Sequence, residues 1–440
     1  MDKSLLIKCQ KFLEALLDEL NRRYGGNIPA REAIIIEKDG KTIPDYNSFL
    51  ADNWDIIQSM QEFKELKEEL ERFELTDHQI KSYTIKLVAD YLKATKASLK
   101  LKHDEFINVY KEFERHLLTN ELEYLCVTRV CGLEYSGEII LDINKKFKLY
   151  LCDIASKDTW DRLSPYLNRL EEINRIGEFW SALGFERVAA ECKIMPTNYL
   201  AILIAKFSKP RGKNLSVNEI DIPSRDDQIL VGRIFDHFIT ALRLLKPGSI
   251  YWTTVDCIPL SGWTARSFFF MSSLIPSVLP VRQYKLQDDE VDELKKIFYF
   301  LIKNYNKLDS RLQRAIQRFN SAYEKNNPED KLIDHVIVWD SLLYPEGIGE
   351  ARWRIAERMA ILIGKNYNEK VKIRERVKRL YKRRSEVVHA NKNVNWEEAL
   401  EAEKYTRQLL RKLLQLCLKY GSCERIIEEI DNKILNIDIS

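Results

Sequence analysis

The sequence has no stretch built to cross a bilayer: no run reaches the roughly 18 consecutive apolar residues that a membrane helix needs. Its start, MDKSLLIKCQKFLEALLDEL, is an amphipathic pattern with acids where a signal peptide has none, and it lacks a small-residue cleavage site. The expectation is a cytoplasmic protein with no membrane partner. Zinc-ligand spacing is also missing. The eight cysteines (Cys9, Cys126, Cys131, Cys152, Cys192, Cys257, Cys417 and Cys423) include no C-x2-C pair and none stands at ligand spacing from a histidine. Their neighbours are mostly apolar, so they read as buried, reduced thiols. No Gly-rich phosphate loop occurs. Neither a metal nor a cofactor is expected. Excess charge of one sign is absent too, because the chain carries a net charge of only +3 and is not a polycation.

The 440 residues exceed the usual size of one domain. The hydrophobic fraction is 45% and the charged fraction 31%, a balance that supplies ample core for a soluble globular chain. Apolar residues three to four apart predict helices over 4–24, 53–74 and 77–118, with a hairpin around Asp39-Gly40 between Ala33–Ile36 and Thr42–Ile43. His78, His103 and His116 stand isolated on polar helices and read as surface residues. Strands are expected from Gly137 onward: 138–143, 147–152, 187–195, 199–207, 250–257 and 264–271. Helices at 158–183 and 226–246 interrupt them. Lys209-Pro-Arg-Gly-Lys213 reads as a solvated basic turn.

After about 284 the pattern is helical throughout, with segments at 288–305, 309–325, 328–343, 350–364, 369–388 and 396–420. Asn395 is placed to cap the last long helix, with Glu398 three residues on returning the bond, and Gly421 to close it. The tail to Ser440 reads as a short surface element. The fold class is α+β, mostly α. An N-terminal mixed helical and β region spans 1–283, divisible into a helical 1–120 and a β-containing 121–283. An all-α bundle spans 284–440.

Basic charge is concentrated in one place. From Lys365 to Arg384 ten Lys and Arg stand against Glu369 and Glu375, a local net charge of +8 within a remainder that is net acidic. On a helical wheel Ile373, Val377, Leu380, Tyr381, Val387 and Val388 fall within about 60° of Arg384. Arg384 is therefore centred on the apolar stripe, where a guanidinium needs a carboxylate, a subunit interface or an anionic ligand. Asp334 and Asp340 of a neighbouring helix are the candidate carboxylates. His389 lies five residues on, about 140° round an ideal helix. The stop at Ala390-Asn-Lys-Asn393 is expected to let it leave the helix and swing back beside Arg384.

This pair suits phosphodiester cleavage in RNA. Histidine moves a proton near neutral pH, arginine holds phosphate and neutralises charge growing in the transition state, and the 2′-hydroxyl is the nucleophile. By itself an Arg four to six residues before one of six histidines is expected about once by chance, and an ion-paired Arg384 beside a bystander histidine is the plain alternative.

Several blocks occur in order through this region: Arg311-Leu-Gln-Arg-Ala-Ile-Gln-Arg-Phe319, Glu329-Asp-Lys-Leu-Ile-Asp334 leading into Val336–Leu343, Gly349–Ala360, and Tyr381-Lys-Arg-Arg-Ser-Glu-Val-Val-His389. Together they resemble the Apea-like branch of the HEPN superfamily over residues 284–420. The resemblance implies a HEPN helical bundle that forms a homodimer and cleaves RNA without a metal through an R-x4-6-H motif. It places Arg384 and His389 as catalytic, Lys382, Arg383 and Asn391 on the RNA backbone, and Asp340 and Ser385 in support. Asp340 stands where the family has Glu, Ala390 where a Gly often follows, and Ser385 where many members carry Asn, Asp or His. A stress or anti-phage effector, and so a toxin, is the expected biological role. The alternative is a non-catalytic HEPN interaction or RNA-binding module.

Overall fold

The computed structural model describes all residues except 1, 27, 29–33, 39–40, 120, 154–156, 173–198, 209–222, 253, 261–266, 272–281, 345–349, 391 and 436–440. The expected strand at 187–195, the basic turn at 209–213, the end of the helix expected to reach 183, and Asn391 fall outside the described residues. The fold is α+β and mostly α, with a sheet-containing region followed by a helical one. Among the described residues no helix is long and apolar enough to cross a membrane.

The first 118 residues gather around their own core. Helix α1 (Lys3–Tyr24) buries Leu5, Cys9, Phe12, Leu13, Leu16, Leu17 and Leu20, one stripe of a 3.6-residue repeat. Asp2 caps it by accepting the Ser4 and Leu5 amides, and Gly25 closes it at φ 62°. The hairpin β1 (Ile34–Lys38) and β2 (Lys41–Asp45) pairs Ile36 with Ile43. Then follow α2 (Tyr46–Asp52), α3 (Trp54–Ser59), α4 (Gln61–Glu71), α5 (Asp77–Ala94) and α6 (His103–Leu118).

Two helices expected as continuous are broken. Met60 is extended at ψ 139° and separates α3 from α4. Between α5 and α6, Lys96 and Ala97 take positive φ, and the Ala97 amide returns to the Leu92 carbonyl at 2.6 Å. The Tyr91 hydroxyl stitches that turn, donating to the Lys100 carbonyl at 2.8 Å and accepting the Lys102 amide at 2.7 Å. His116 is buried, edge-on to Tyr83 at 5.1 Å, because it shares the apolar face of α6 with Phe113. His78 and His103 are exposed, as expected.

A seven-stranded antiparallel sheet follows, in the order β10 (Phe268–Met271), β9 (Thr254–Pro259), β3 (Glu121–Cys131), β7 (Tyr199–Ser208), β6 (Phe147–Asp153) and β5 (Ile139–Asp142), with β8 (Tyr251–Trp252) also on β3. Its longest strand, β3, begins well before Gly137, contrary to expectation. Leu122, Tyr124, Cys126 and Val130 join one core with helix α8 (Arg225–Leu245). Leu125 and Val127 face α7 (Lys157–Glu172) through Leu163 and Leu170. A strand covered on both faces loses the alternation that announces strands.

The helical region comprises α9 (Val291–Asn304), α10 (Ser310–Ser321), α11 (Pro328–Leu343), α12 (Ala351–Ile363), α13 (Tyr367–Ala390), α14 (Trp396–Tyr420) and α15 (Cys423–Leu435). It shares one continuous hydrophobic cluster with the sheet, running from Leu122 to Ile430, and Tyr284 lies inside it. Tyr284 sits in β11 (Tyr284–Lys285), which pairs in parallel with β4 (Leu133–Glu134). The tail is more than a surface element: Cys423, Ile426, Ile427 and Ile430 of α15 are buried, and Arg358 of α12 clamps the Asp431 carboxylate with two bonds of 3.0 and 2.6 Å. The seven described cysteines are buried.

One polar cluster is embedded in this core. Glu403 on α14 is fully buried. Its carboxylate accepts two bonds from Arg282 (2.8 and 2.7 Å), one from Lys331 (2.8 Å), one from the Tyr323 hydroxyl (3.0 Å) and one from Arg407. Burial pushes this carboxyl up, but Lys331, Arg282 and Arg407 outweigh it and hold Glu403 well below the usual carboxylate range. Arg243 lies over the Tyr323 ring at 4.5 Å and donates to the Ile250 carbonyl at 3.0 Å, so the cluster reaches from the sheet region into the bundle. His335 lies beside it, fully buried, with both ring nitrogens unpartnered.

Candidate active site

Helix α13 packs against α12 and α11 through Ile373, Val377 and Leu380, with Tyr381 and Val387 partly buried. Arg384 continues that line and is half-buried, as the wheel predicts. Its Nε atom is shielded from solvent and has no hydrogen-bond partner. Neither expected carboxylate pairs with it. Asp334 is engaged by Arg318 (2.5 Å) and Lys325 (3.7 Å). Asp340 instead accepts the Tyr381 hydroxyl at 2.9 Å.

Arg384 acts on this pair through its field alone. Burial pushes the Asp340 carboxyl up, against the opposing pull of the Tyr381 hydroxyl and the Arg384 charge. Burial and then the Asp340 carboxylate push Tyr381 up to about 12, so its hydroxyl keeps its proton near neutral pH. Tyr381 opens the last matched block and lies on the apolar stripe, but the sequence reading gives it no role at the site. The available signal was its position three residues before Arg384, which puts both on one helix face.

The other cations of α13 are not a bare positive surface. Arg374 and Lys378 lie near Glu375, Arg376 near Glu401, Arg379 near Glu398 and Lys382 near Glu386, at 3.3 to 3.8 Å. Lys382 is exposed. Arg383 is fully engaged, donating to Glu398 (3.1 Å), Glu386 (2.8 Å) and the Asn393 carbonyl (2.7 Å). Glu398 therefore spends its carboxylate on Arg383 rather than returning a capping bond, while Asn395 does accept the Glu398 amide at 2.9 Å. Glu329 takes the Val394 amide at 2.9 Å, so the α13–α14 connection is pinned from two sides.

His389 does not leave the helix. α13 runs on through Ala390, and its end is turned back by the Lys392 amide on the Glu386 carbonyl at 3.4 Å. In a regular helix His389 then stands about 140° round and roughly 7.5 Å along from Arg384. It is exposed, next to the exposed Val388. Ser385 is half-buried beside Arg384. One chain thus brings Arg384, Tyr381 and Asp340 together and sets His389 on a different side of the same helix end.

In comparison with known proteins, the chain matches no family model, no curated protein and no solved structure.

Proposed function

We propose that this chain is a HEPN-type endoribonuclease that cleaves RNA without a metal, acting in the cytoplasm as a stress or anti-phage effector. The observation that carries the reading is Arg384: a half-buried guanidinium near Asp340 and Tyr381 whose Nε is buried and, among the described residues, has no hydrogen-bond partner. Desolvating a charge without a partner is costly. A phosphodiester oxygen on Arg384 supplies the missing acceptor.

The 2′-hydroxyl of RNA attacks the adjacent phosphorus and gives its proton to a neutral His389. The P–O5′ bond breaks, the 5′-oxygen takes a proton from a protonated His389, and Arg384 stabilises the charge on the nonbridging oxygens. The products are a 2′,3′-cyclic phosphate and a 5′-hydroxyl. The 140° separation prevents one chain from aiming both groups at one phosphate, so a homodimer pairs Arg384 of one copy with His389 of a second. Lys382 and Arg383 meet the RNA backbone. The exposed Lys382 gives up a weak ion pair to Glu386, about 0–1 kcal/mol, for a phosphate contact, whereas the half-buried Arg383 must release Glu398 or Glu386 to do the same. Asn391 follows on the same connection.

The test is cleavage of mixed RNA in EDTA by the purified protein. Wild type is expected to cleave, and His389→Ala and Arg384→Ala to lose at least about 100-fold with unchanged thermal stability. Equal cleavage by wild type and His389→Ala would overturn the proposal. The second reading, a non-catalytic RNA-binding or interaction module, draws on the same 140° divergence. It expects His389→Ala to be silent and the loss of Arg384 to appear as lost stability.

A further inference from the structure

We propose that the N-terminal helical unit carries a second site, a cleft centred on Trp54 that binds a nucleotide. The first turn of α3, the middle of α4 and the first turn of α5 meet there and leave a cleft of about 470 Å³ whose lining includes Trp54, Gln58, Lys64, Lys67, His78 and Lys81. That volume lies within the range of small-molecule sites, about 300–1,000 Å³.

The chemistry of the lining selects the ligand. Trp54 is half-buried, and Phe63 holds its ring edge-on at 5.1 Å with an interplanar angle of 81°. Phe63 thus braces the indole, which lines the cleft. Lys81 places its ammonium 5.1 Å from the ring centroid. Three lysines line the cleft against one carboxylate, Asp77, which Lys67 already engages at 2.8 Å. Lys64 is exposed and forms no ion pair among the described residues, and the positive end of the α5 dipole opens on the same space. A matching ligand brings a flat π-face for the indole and negative charge for the ammonium groups. A base with its phosphate does both. The base takes the place of Lys81 over the indole, and Lys81 and Lys64 close on the phosphate. Stacking of this kind tolerates any base.

This site belongs to a hydrophobic unit separate from the one that holds α13, and it stands whether or not RNA is cleaved there. The ligand is a free nucleotide or a nucleotide of a single strand, and two probes tell these apart. Full-length protein bearing His389→Ala, so that RNA is not consumed, is titrated with fluorescent methylanthraniloyl-AMP and, separately, with a labelled oligouridylate, and anisotropy is read. Saturable binding of either probe is expected. It should weaken at least about five-fold in Trp54→Leu and about ten-fold in the doubly substituted Lys64→Gln, Lys81→Gln protein, with circular dichroism unchanged. Should Trp54→Leu fail to fold, the lysine variant decides. No saturable binding of either probe up to millimolar protein, or binding that ignores the two lysines, would overturn the proposal.

Discussion

His335 offers the sharpest test of the core. It is fully buried on α11, its ring 6.0 Å from that of Phe319, and neither nitrogen has a hydrogen-bond partner. Burial first, and then the nearby Lys331 charge, push its pKa down to about 3. The folded protein therefore holds it neutral, while in the unfolded chain it titrates near 6.5. A group with a depressed native pKa contributes its full stability above the unfolded value and loses it as pH falls toward the native one. Below pH 6.5 the unfolded state binds the extra proton, so stability falls by about 1.4 kcal/mol per pH unit, or about 2 kcal/mol between pH 7.5 and 5.

The perturbation is His335→Leu, close in volume and without polar atoms. At pH 7.5 the variant is expected to equal or exceed wild type, since an unsatisfied buried group costs about 1–3 kcal/mol. At pH 5 its advantage should grow by about 2 kcal/mol. Urea unfolding followed by circular dichroism at both pH values measures this, with an unchanged m-value showing that the same surface is exposed. His237 on α8, whose pKa burial also pushes down to about 4, is common to both proteins and cancels in the difference. An advantage of the same size at both pH values would refute the reasoning, because the imidazole would then not be a neutral, dry group in the native state.

Two further outcomes follow from the same packing. Glu403→Gln keeps the side chain's size but leaves Lys331 and Arg407 buried without a countercharge; it should cost about 3–5 kcal/mol in the same urea assay, and a loss under about 1 kcal/mol would show the cluster to be dispensable. Because the Glu403 carboxyl is held below its usual range, that contribution should persist down to about pH 4 and vanish only at stronger acid, a window distinct from that of His335. A fragment of residues 1–119, whose core from Leu5 to Leu117 is self-contained, should melt as one cooperative transition by near-UV circular dichroism; a gradual melt would show that it relies on the rest of the chain.

The helical region was the most legible part of the chain. Its helices carry long apolar periods ended by local signals such as Asn395 and Gly421, and local signals can be read without knowing what lies opposite. β3 was hidden because burial on both faces removed its alternation. The Glu403 cluster was hidden for another reason: of its cationic and hydroxyl partners only Arg407 is a helical neighbour, while Arg282, Tyr323 and Lys331 arrive from three other segments. On the wheel, Glu403 is simply another acid on an amphipathic helix.

At the candidate site the wheel placed Arg384 correctly, because the packing of one helix face is a local property. The ending of α13 was not local. A Val-Val-His-Ala run before Asn looks like a place to fray, but Arg383 and Glu329 fasten the connection beyond it and carry the helix through Ala390. Those two extra helical residues change what the motif can do. With His389 free to swing, a single chain would suffice for the chemistry. With His389 held in helical register, the two residues stand about 140° apart round the helix, and the proposed cleavage needs two copies. RNA cleavage by this protein should therefore fall with the square of concentration below its dimer dissociation constant. Mixing inactive Arg384→Ala with inactive His389→Ala should restore part of the activity, because every mixed dimer carries one intact Arg384–His389 pair across the interface and one site lacking both groups, and at equal mixing about half of the dimers are mixed. No recovery at any mixing ratio, with mixed dimers shown to form, would place both groups of each site on a single chain and refute the two-copy geometry.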